Sequence, residues 1–274
     1  MARGPVGTSG VKAKALVPLQ KLKPAARKAA VEGVAPAKAR AIAAKEPVAP
    51  KVKRGKTAKP LAPERIAAIL DALRKTYPNV VCALTHRNAF ELTIATILSA
   101  QTTDVGVNKA TPELFRQFPT PKALASASLS EIEPLIKTTG FYRAKAKNIQ
   151  GAARVLVEKF GGKVPQTVEE LIQLPGVARK TANVVLGSWF GIPSGVVVDT
   201  HVLRLSRRLE LTKQTDPVRV EQDLIKIIPR DRWIQFSHEL IHHGRQVCIA
   251  RKPRCVDCSL EKLCNSADKT WNSH

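Results

Sequence analysis

Leu174-Pro175-Gly176-Val177-Ala178-Arg179-Lys180-Thr181-Ala182 is the stretch from which the fold can be read. Pro175 and Gly176 make a tight turn that feeds straight into a helix. Before the turn, Val168 to Gln173 reads as a short helix. After it, Val177 to Phe190 carries apolar residues at helical spacing. The stretch is therefore predicted to be a helix, a corner and a second helix. The first backbone N–H groups of the second helix lack internal acceptors, so they can hold a phosphate oxygen. Gly176 lets a phosphate backbone approach closely. Contacts of this kind bind nucleic acid without reading its bases.

Helical patterns continue on both sides. Pro63-Glu64 opens a run with Ile66, Ile69, Leu70 and Leu73 on one face, and Pro63 suits a first helical position. Ala89 to Ala100 is an apolar helix. Asp104 to Phe118 begins with a capping Asp104 and is interrupted near Pro112. Ser130 with Glu133 forms a capping-box pattern. Residues 143–160 make a basic amphipathic helix ended by Gly161-Gly162, and further helices are predicted over 200–210, 217–228 and 231–243. Strand signals are weak throughout and no fixed-period repeat is visible. The expected fold class is all-α. Composition agrees: 44% of residues are hydrophobic but only 4% aromatic, so a core of Leu, Ile, Val and Ala is implied, which suits packed helices.

The net charge is +23, which attracts polyanions, nucleic acid foremost. Residues 1–60 carry fifteen Lys/Arg against two acids, and 61–274 carry thirty against twenty, so the remainder is basic too. The first 60 residues also hold fifteen Ala, seven Pro and no aromatic residue. Such a segment cannot bury enough apolar surface to offset its ordering entropy, and 1–62 reads as a disordered basic tail. A transit peptide is the alternative reading. No run approaches ~20 apolar residues, so no membrane span is expected, and without an apolar h-region at the N-terminus no secretory signal is expected.

Lys180 falls in the first turn of the second helix, beside Arg179. That electropositive place suits a nucleophilic amine, although a lysine taken alone there reads first as a solvated surface residue, and it is the turn in front of it that favours the nucleophile. Val196-Val197-Val198-Asp199-Thr200-His201 presents Asp199 either as a helix N-cap or as a carboxylate serving Lys180, and one residue can do both. Four of the five cysteines, Cys248, Cys255, Cys258 and Cys264, are spaced C-x6-C-x2-C-x5-C. Four thiolates so close in sequence can wrap one metal centre, and the spacing alone leaves zinc and an iron–sulfur cluster both open. The intervening loop bears Arg251, Lys252 and Arg254, which would reach toward phosphates. Cys82 follows an apolar pair and reads as an ordinary buried thiol.

Four motifs in order resemble the endonuclease III family of DNA glycosylases, over about residues 62–270. They are Leu98-Ser99-Ala100-Gln101-Thr102-Thr103-Asp104; Leu174-Pro175-Gly176 through Lys180-Thr181-Ala182-Asn183-Val184-Val185-Leu186; Val198-Asp199-Thr200-His201; and His243-Gly244-Arg245 leading into the cysteine run. The resemblance implies a six-helix barrel over 83–193 with a helix-hairpin-helix at about 168–187. It also implies an iron–sulfur domain from 64–82 and 194–274, and damaged double-stranded DNA bound between the two. It places the nucleophile on Lys180, the catalytic aspartate on Asp199, and the ligands of a structural [4Fe–4S] cluster on the four clustered cysteines. DNA contacts are implied at Gln101, Phe141, Gly176, Ala178 and Arg179. Gln101 would fill the space of a flipped nucleotide, or else bond nearby backbone. Phe141 would wedge into the opposite strand, or else anchor its own loop, and many relatives carry Leu there. Ala178 stands where the hairpin often has Gly, and its methyl group should be tolerated if the local backbone is helical.

The implied activity is base-excision repair: removal of oxidised pyrimidines, then cleavage 3′ to the abasic site by β-elimination through a lysine Schiff base. An adenine glycosylase of the same superfamily is disfavoured, because those usually lack the hairpin lysine. A non-catalytic DNA-binding scaffold is disfavoured by Lys180 with Asp199. A monomer in the bacterial cytoplasm, associated with the nucleoid, is expected; a nucleus or organelle stays open.

Overall fold

Eleven α-helices and no strand make up the described residues, 61–271 of a computed structural model. The tail reading of the first 60 residues lies outside them. The helices are α1 (Pro63–Thr76), α2 (Ala89–Leu98), α3 (Asp104–Gln117), α4 (Pro121–Ser126), α5 (Leu129–Ile136), α6 (Tyr142–Phe160), α7 (Val168–Leu171), α8 (Arg179–Ser188), α9 (Thr200–Arg208), α10 (Pro217–Ile227) and α11 (Trp233–Gln246). The all-α expectation holds.

Two apolar cores organise them. The first is built from α2 to α8, with Leu92, Ile94, Leu98, Leu114, Ile132, Ile149 and Leu156 buried in it. α2 is buried on every side from Phe90 to Leu98, as a helix apolar all round must be. α6 offers Ala146, Ile149, Ala152, Ala153 and Leu156 along one face, and packs on α4, α5 and α2. Its alanines let neighbouring backbones come close, and each fully buried Leu or Ile contributes about 1.5–3 kcal/mol. The second core joins α1 to α9, α10 and α11 through Ile69, Leu73, Val202, Leu205, Leu224, Phe236 and Leu240. Arg65 ties α1 down by donating to the carbonyls of Leu209 (2.8 Å) and Leu263 (2.6 Å). Polar bridges link helices of the two cores: Arg245 to Asp104 at 2.7 Å and Ser188 to His238 at 3.2 Å.

Several boundaries differ from expectation for local reasons. Thr103, not Asp104, caps α3 by accepting from Gly106 N; Asp104 is left for Arg245. Pro112 does not interrupt α3, which buries Val107, Ala110, Leu114 and Phe115 on both sides of it. The capping box is Ser128 with Glu131, not Ser130 with Glu133. Both pairs satisfy the pattern, and the earlier register places Ile132 and Ile136 in the core. α8 begins at Arg179 and ends at Ser188, inside the predicted span. α4, only six residues long, has no counterpart in the sequence reading. Gly161 closes α6 in the left-handed conformation, with Gly162 N donating to Leu156 O at 2.8 Å. Cys82 is half-buried at the edge of the first core, and burial pushes its thiol pKa up.

The capping box gives a direct check. Ser128→Ala should lower unfolding free energy by about 1 kcal/mol in chemical denaturation, and an unmoved midpoint would show that the box contributes nothing.

Candidate active site

The corner before α8 is seated on two helices. Val177 N bonds Leu174 O at 3.0 Å to close the turn, with φ +80° at Gly176. A side chain on Gly176 would stand 3.0 Å from both Asn148 Cβ on α6 and Ile97 Cγ2 on α2. Glycine is needed there for the backbone conformation and for this packing as well. Pro175 lies against Gly151 of α6. Leu174 and Val177 are buried on either side, so the corner cannot swing.

Ala178 is the N-cap of α8, in extended backbone (φ −98°, ψ 171°), and gives no side-chain cap. The backbone there is extended rather than helical as expected, but a negative φ accommodates the methyl group equally well. The leading N–H groups of α8 therefore receive no capping side chain. Lys180 is the second residue of the helix and is exposed.

The carboxylate of Glu221 on α10 was missed in the sequence. It is 5% exposed, and accepts from Arg179 Nε at 3.1 Å and Asn183 Nδ2 at 2.9 Å. Asn183 Oδ1 in turn accepts from Ser194 Oγ at 2.9 Å. Arg179, the residue before Lys180, is thus held on its Nε edge rather than free. Asn183 is one turn beyond Lys180. The network binds the first turn of α8 to the segment 194–198, which leads into Asp199. The other side of that segment is fixed by Val197 N donating to Ser237 Oγ at 3.0 Å. Glu221 lies 42 residues from Arg179, and no local pattern announces such a partner; Asn183, inside the quoted motif, was the only hint.

Asp199 is the N-cap of α9. Its Oδ1 accepts from His201 N and Val202 N, both at 2.8 Å, so the capping role is realised and Oδ2 stays outside those bonds. Lys180 and Asp199 make no ion pair with each other in this structure. Gln101 and Phe141 are both exposed, Phe141 at 71%. Both adopt left-handed backbone, with φ of 54° and 49°, a conformation costing of order 1–3 kcal/mol for a residue other than glycine. Phe141 is not packed as a loop anchor.

The four clustered cysteines line one cavity with Arg208, Val247, Pro253 and Lys269, and none is disulfide-bonded. Three sulfurs meet nitrogen groups: Cys248 Sγ accepts from Arg208 Nη1 at 3.2 Å, Cys255 Sγ from Thr270 N at 3.4 Å, and Cys258 Sγ lies 3.4 Å from His243 Nε2. An all-sulfur donor set with N–H groups aimed at it is the environment that thiolate ligands need. Among the described residues, no three His, Cys, Asp or Glu side chains are grouped to hold a single metal ion.

Gly195 tests the network. A Cβ there would overlap Glu221 Oε1 and stand 2.5 Å from Asn183 Nδ2. Gly195→Ala should cost about 3 kcal/mol of stability, as breaking a buried charge pair does; a melting curve matching the parent would remove Glu221 from this account.

The HhH-GPD superfamily of base excision DNA repair proteins matches residues 94–230. Endonuclease III of Synechocystis is 58% identical over 204 residues, 74% of this chain and 93% of that protein. Endonuclease III of Escherichia coli K12 is 44% identical over 201 residues, 73% of this chain and 95% of that protein. A solved structure of a non-covalent endonuclease III–DNA complex superposes with a TM-score of 0.71 at 45% identity, over 75% of this chain and 96% of the other. A trapped endonuclease III–DNA covalent intermediate gives the same figures. With identity of this level spanning nearly the whole of its relatives, the chain belongs to the endonuclease III family of base-excision DNA repair enzymes.

Proposed function

We propose that this DNA glycosylase and abasic-site lyase removes oxidised pyrimidines from double-stranded DNA and cuts 3′ to the resulting site, with Lys180 as nucleophile. One observation carries the reading. An exposed lysine stands at an uncapped helix N-terminus, behind a rigid corner, and is tied through Asn183 and Ser194 to the segment that ends in Asp199. The two apolar cores correspond, in this reading, to a barrel domain at 83–193 and a second domain from 64–82 and 194–274, with damaged DNA between them.

The target base must leave the stack before its sugar can be reached. Gln101 occupies the space it vacates, Phe141 wedges into the opposite strand, and together they offset the lost stacking. Backbone N–H groups at Gly176, Ala178 and Arg179 hold a phosphate. Lys180 Nζ attacks C1′, and the base departs with the electrons of the glycosidic bond. Asp199, oriented by its two cap bonds, takes a proton from the attacking amine through its outer oxygen. The nitrogen lone pair then expels O4′ from C1′, O4′ takes the proton back from the Asp199 carboxyl, and a protonated Schiff base is left. That cation acidifies C2′; loss of the C2′ proton expels the 3′ phosphate oxygen, and the strand breaks by β-elimination.

Cys248, Cys255, Cys258 and Cys264 would hold a [4Fe–4S] cluster. When bound, it supplies rigidity to the loop bearing Arg251, Lys252 and Arg254, which places those cations toward phosphates. Among the described residues no helix is long and apolar enough to cross a membrane, and the reading puts the protein at the bacterial nucleoid.

Borohydride should trap the parent protein on abasic-site DNA and should trap none of Lys180→Ala; an undiminished adduct in that variant would move the nucleophile elsewhere. Asp199→Asn should slow single-turnover excision at least ~100-fold while keeping the cap bonds, and a parent-like rate would leave Asp199 a cap alone. The purified protein should show a broad visible iron–sulfur band with four irons per chain. Stoichiometric zinc in a colourless protein would overturn the cluster.

A further inference from the structure

Lys145 is a buried cation that this chemistry leaves unused. It lies on α6, one turn after Phe141, and is 5% exposed. Its ammonium donates to Thr102 Oγ1 and to the carbonyl of Thr139, each at 2.7 Å. Burial lowers its pKa, and among the described residues no carboxylate pairs with it. An ammonium removed from water without a counter-charge is costly, and the fold retains it where two loops meet. Thr102 Oγ1 also donates to the same Thr139 carbonyl. Ammonium, hydroxyl and carbonyl thus close a triangle between the 99–103 loop and the 137–141 loop, 37 residues apart.

The neighbours of that triangle are the two strained residues. Gln101 adjoins Thr102, and Phe141 is two residues beyond Thr139. They are two of only four non-glycine residues with positive φ among those described. Left-handed backbone at such residues persists only where surrounding bonds impose it. The Lys145 ammonium supplies such bonds to the neighbours Thr102 and Thr139, and Phe141 O accepts the ordinary first-turn bond of α6 from Lys145 N at 3.1 Å.

We propose that Lys145 is a positioning residue that clasps the Gln101 and Phe141 loops together, so that both side chains enter a duplex in one fixed register. The inference rests on the wedge reading of those two residues. A clasp of this kind matters when a paired strand must be opened and much less when the target is already single-stranded.

The test compares single-turnover cleavage at one abasic site in duplex and in single-stranded DNA. Lys145→Met should lose at least about tenfold more rate on duplex than on single strand, as a displaced positioning group does. Thr102→Val should reproduce that pattern, and Thr102→Ser, which restores the hydroxyl, should recover most of it. The Thr102 pair decides the matter if Lys145→Met does not fold. Combined with Phe141→Ala, Lys145→Met should add less than its own separate loss, because the part of the clasp that acts through Phe141 is already gone. Equal losses on the two substrates, or losses that multiply in the double variant, would overturn the clasp. Duplex-specific loss in Phe141→Ala but not in the Lys145 and Thr102 variants would overturn the clasp alone. No such loss in Phe141→Ala would overturn the wedge reading and the clasp with it.

Discussion

A single buried carboxylate sets the geometry on which the candidate site depends. Glu221 is out of water, so its charge must be met by donors, and they come from Arg179 and Asn183 on a different helix. Those two residues bracket Lys180 on α8. The passing chain at Gly195 is drawn so close that no side chain fits. Four residues further on is Asp199. The carboxylate therefore fixes, through one set of bonds, the helix that carries the amine and the segment that carries the acid. Arg179 contributes to this at some expense of freedom: its Nε edge faces inward, and only the remainder of the guanidinium is available to a phosphate.

Much of this was legible in the linear sequence where one local signal dominates. The all-round apolar α2, Pro63 at the head of α1, the Gly161 stop and the Pro175–Gly176 corner each have a short-range cause, and each stands where expected. Ambiguity arose where two local patterns compete. Ser128 and Ser130 each have a glutamate three residues on, and burial of Ile132 and Ile136 decided between them. Thr103 and Asp104 are both good caps, and the distant Arg245 claims one of them. What stayed hidden was long-range. Glu221 and Lys145 are ordinary charged residues in sequence; only the meeting of remote loops shows why each is buried.

The polar groups of the site also show a division of labour. Asp199 spends one oxygen on the start of α9 and keeps the other. The carboxylate is held at a definite angle by backbone, so its orientation does not depend on a flexible neighbour. The corner before α8 follows the same logic, since α2 and α6 occupy the volume that a larger residue at 176 would need. Backbone sets the angle at each end, and the side-chain network around Glu221 ties the two ends together.

The membership of α1 in the second core has a consequence for how the chain is made. α1 leaves the ribosome before any other described helix, yet its partners lie at 196–263, and the whole of the first core is encoded between them. The α2–α8 unit has its contacts within one continuous stretch and can assemble during synthesis, as local units do. α1 must wait with Ile66, Ile69, Leu70 and Leu73 uncovered until Leu209 and Leu263 emerge to receive Arg65. Docking of α1 therefore closes a long loop, and the entropic cost of that closure is met only by contacts made late in synthesis.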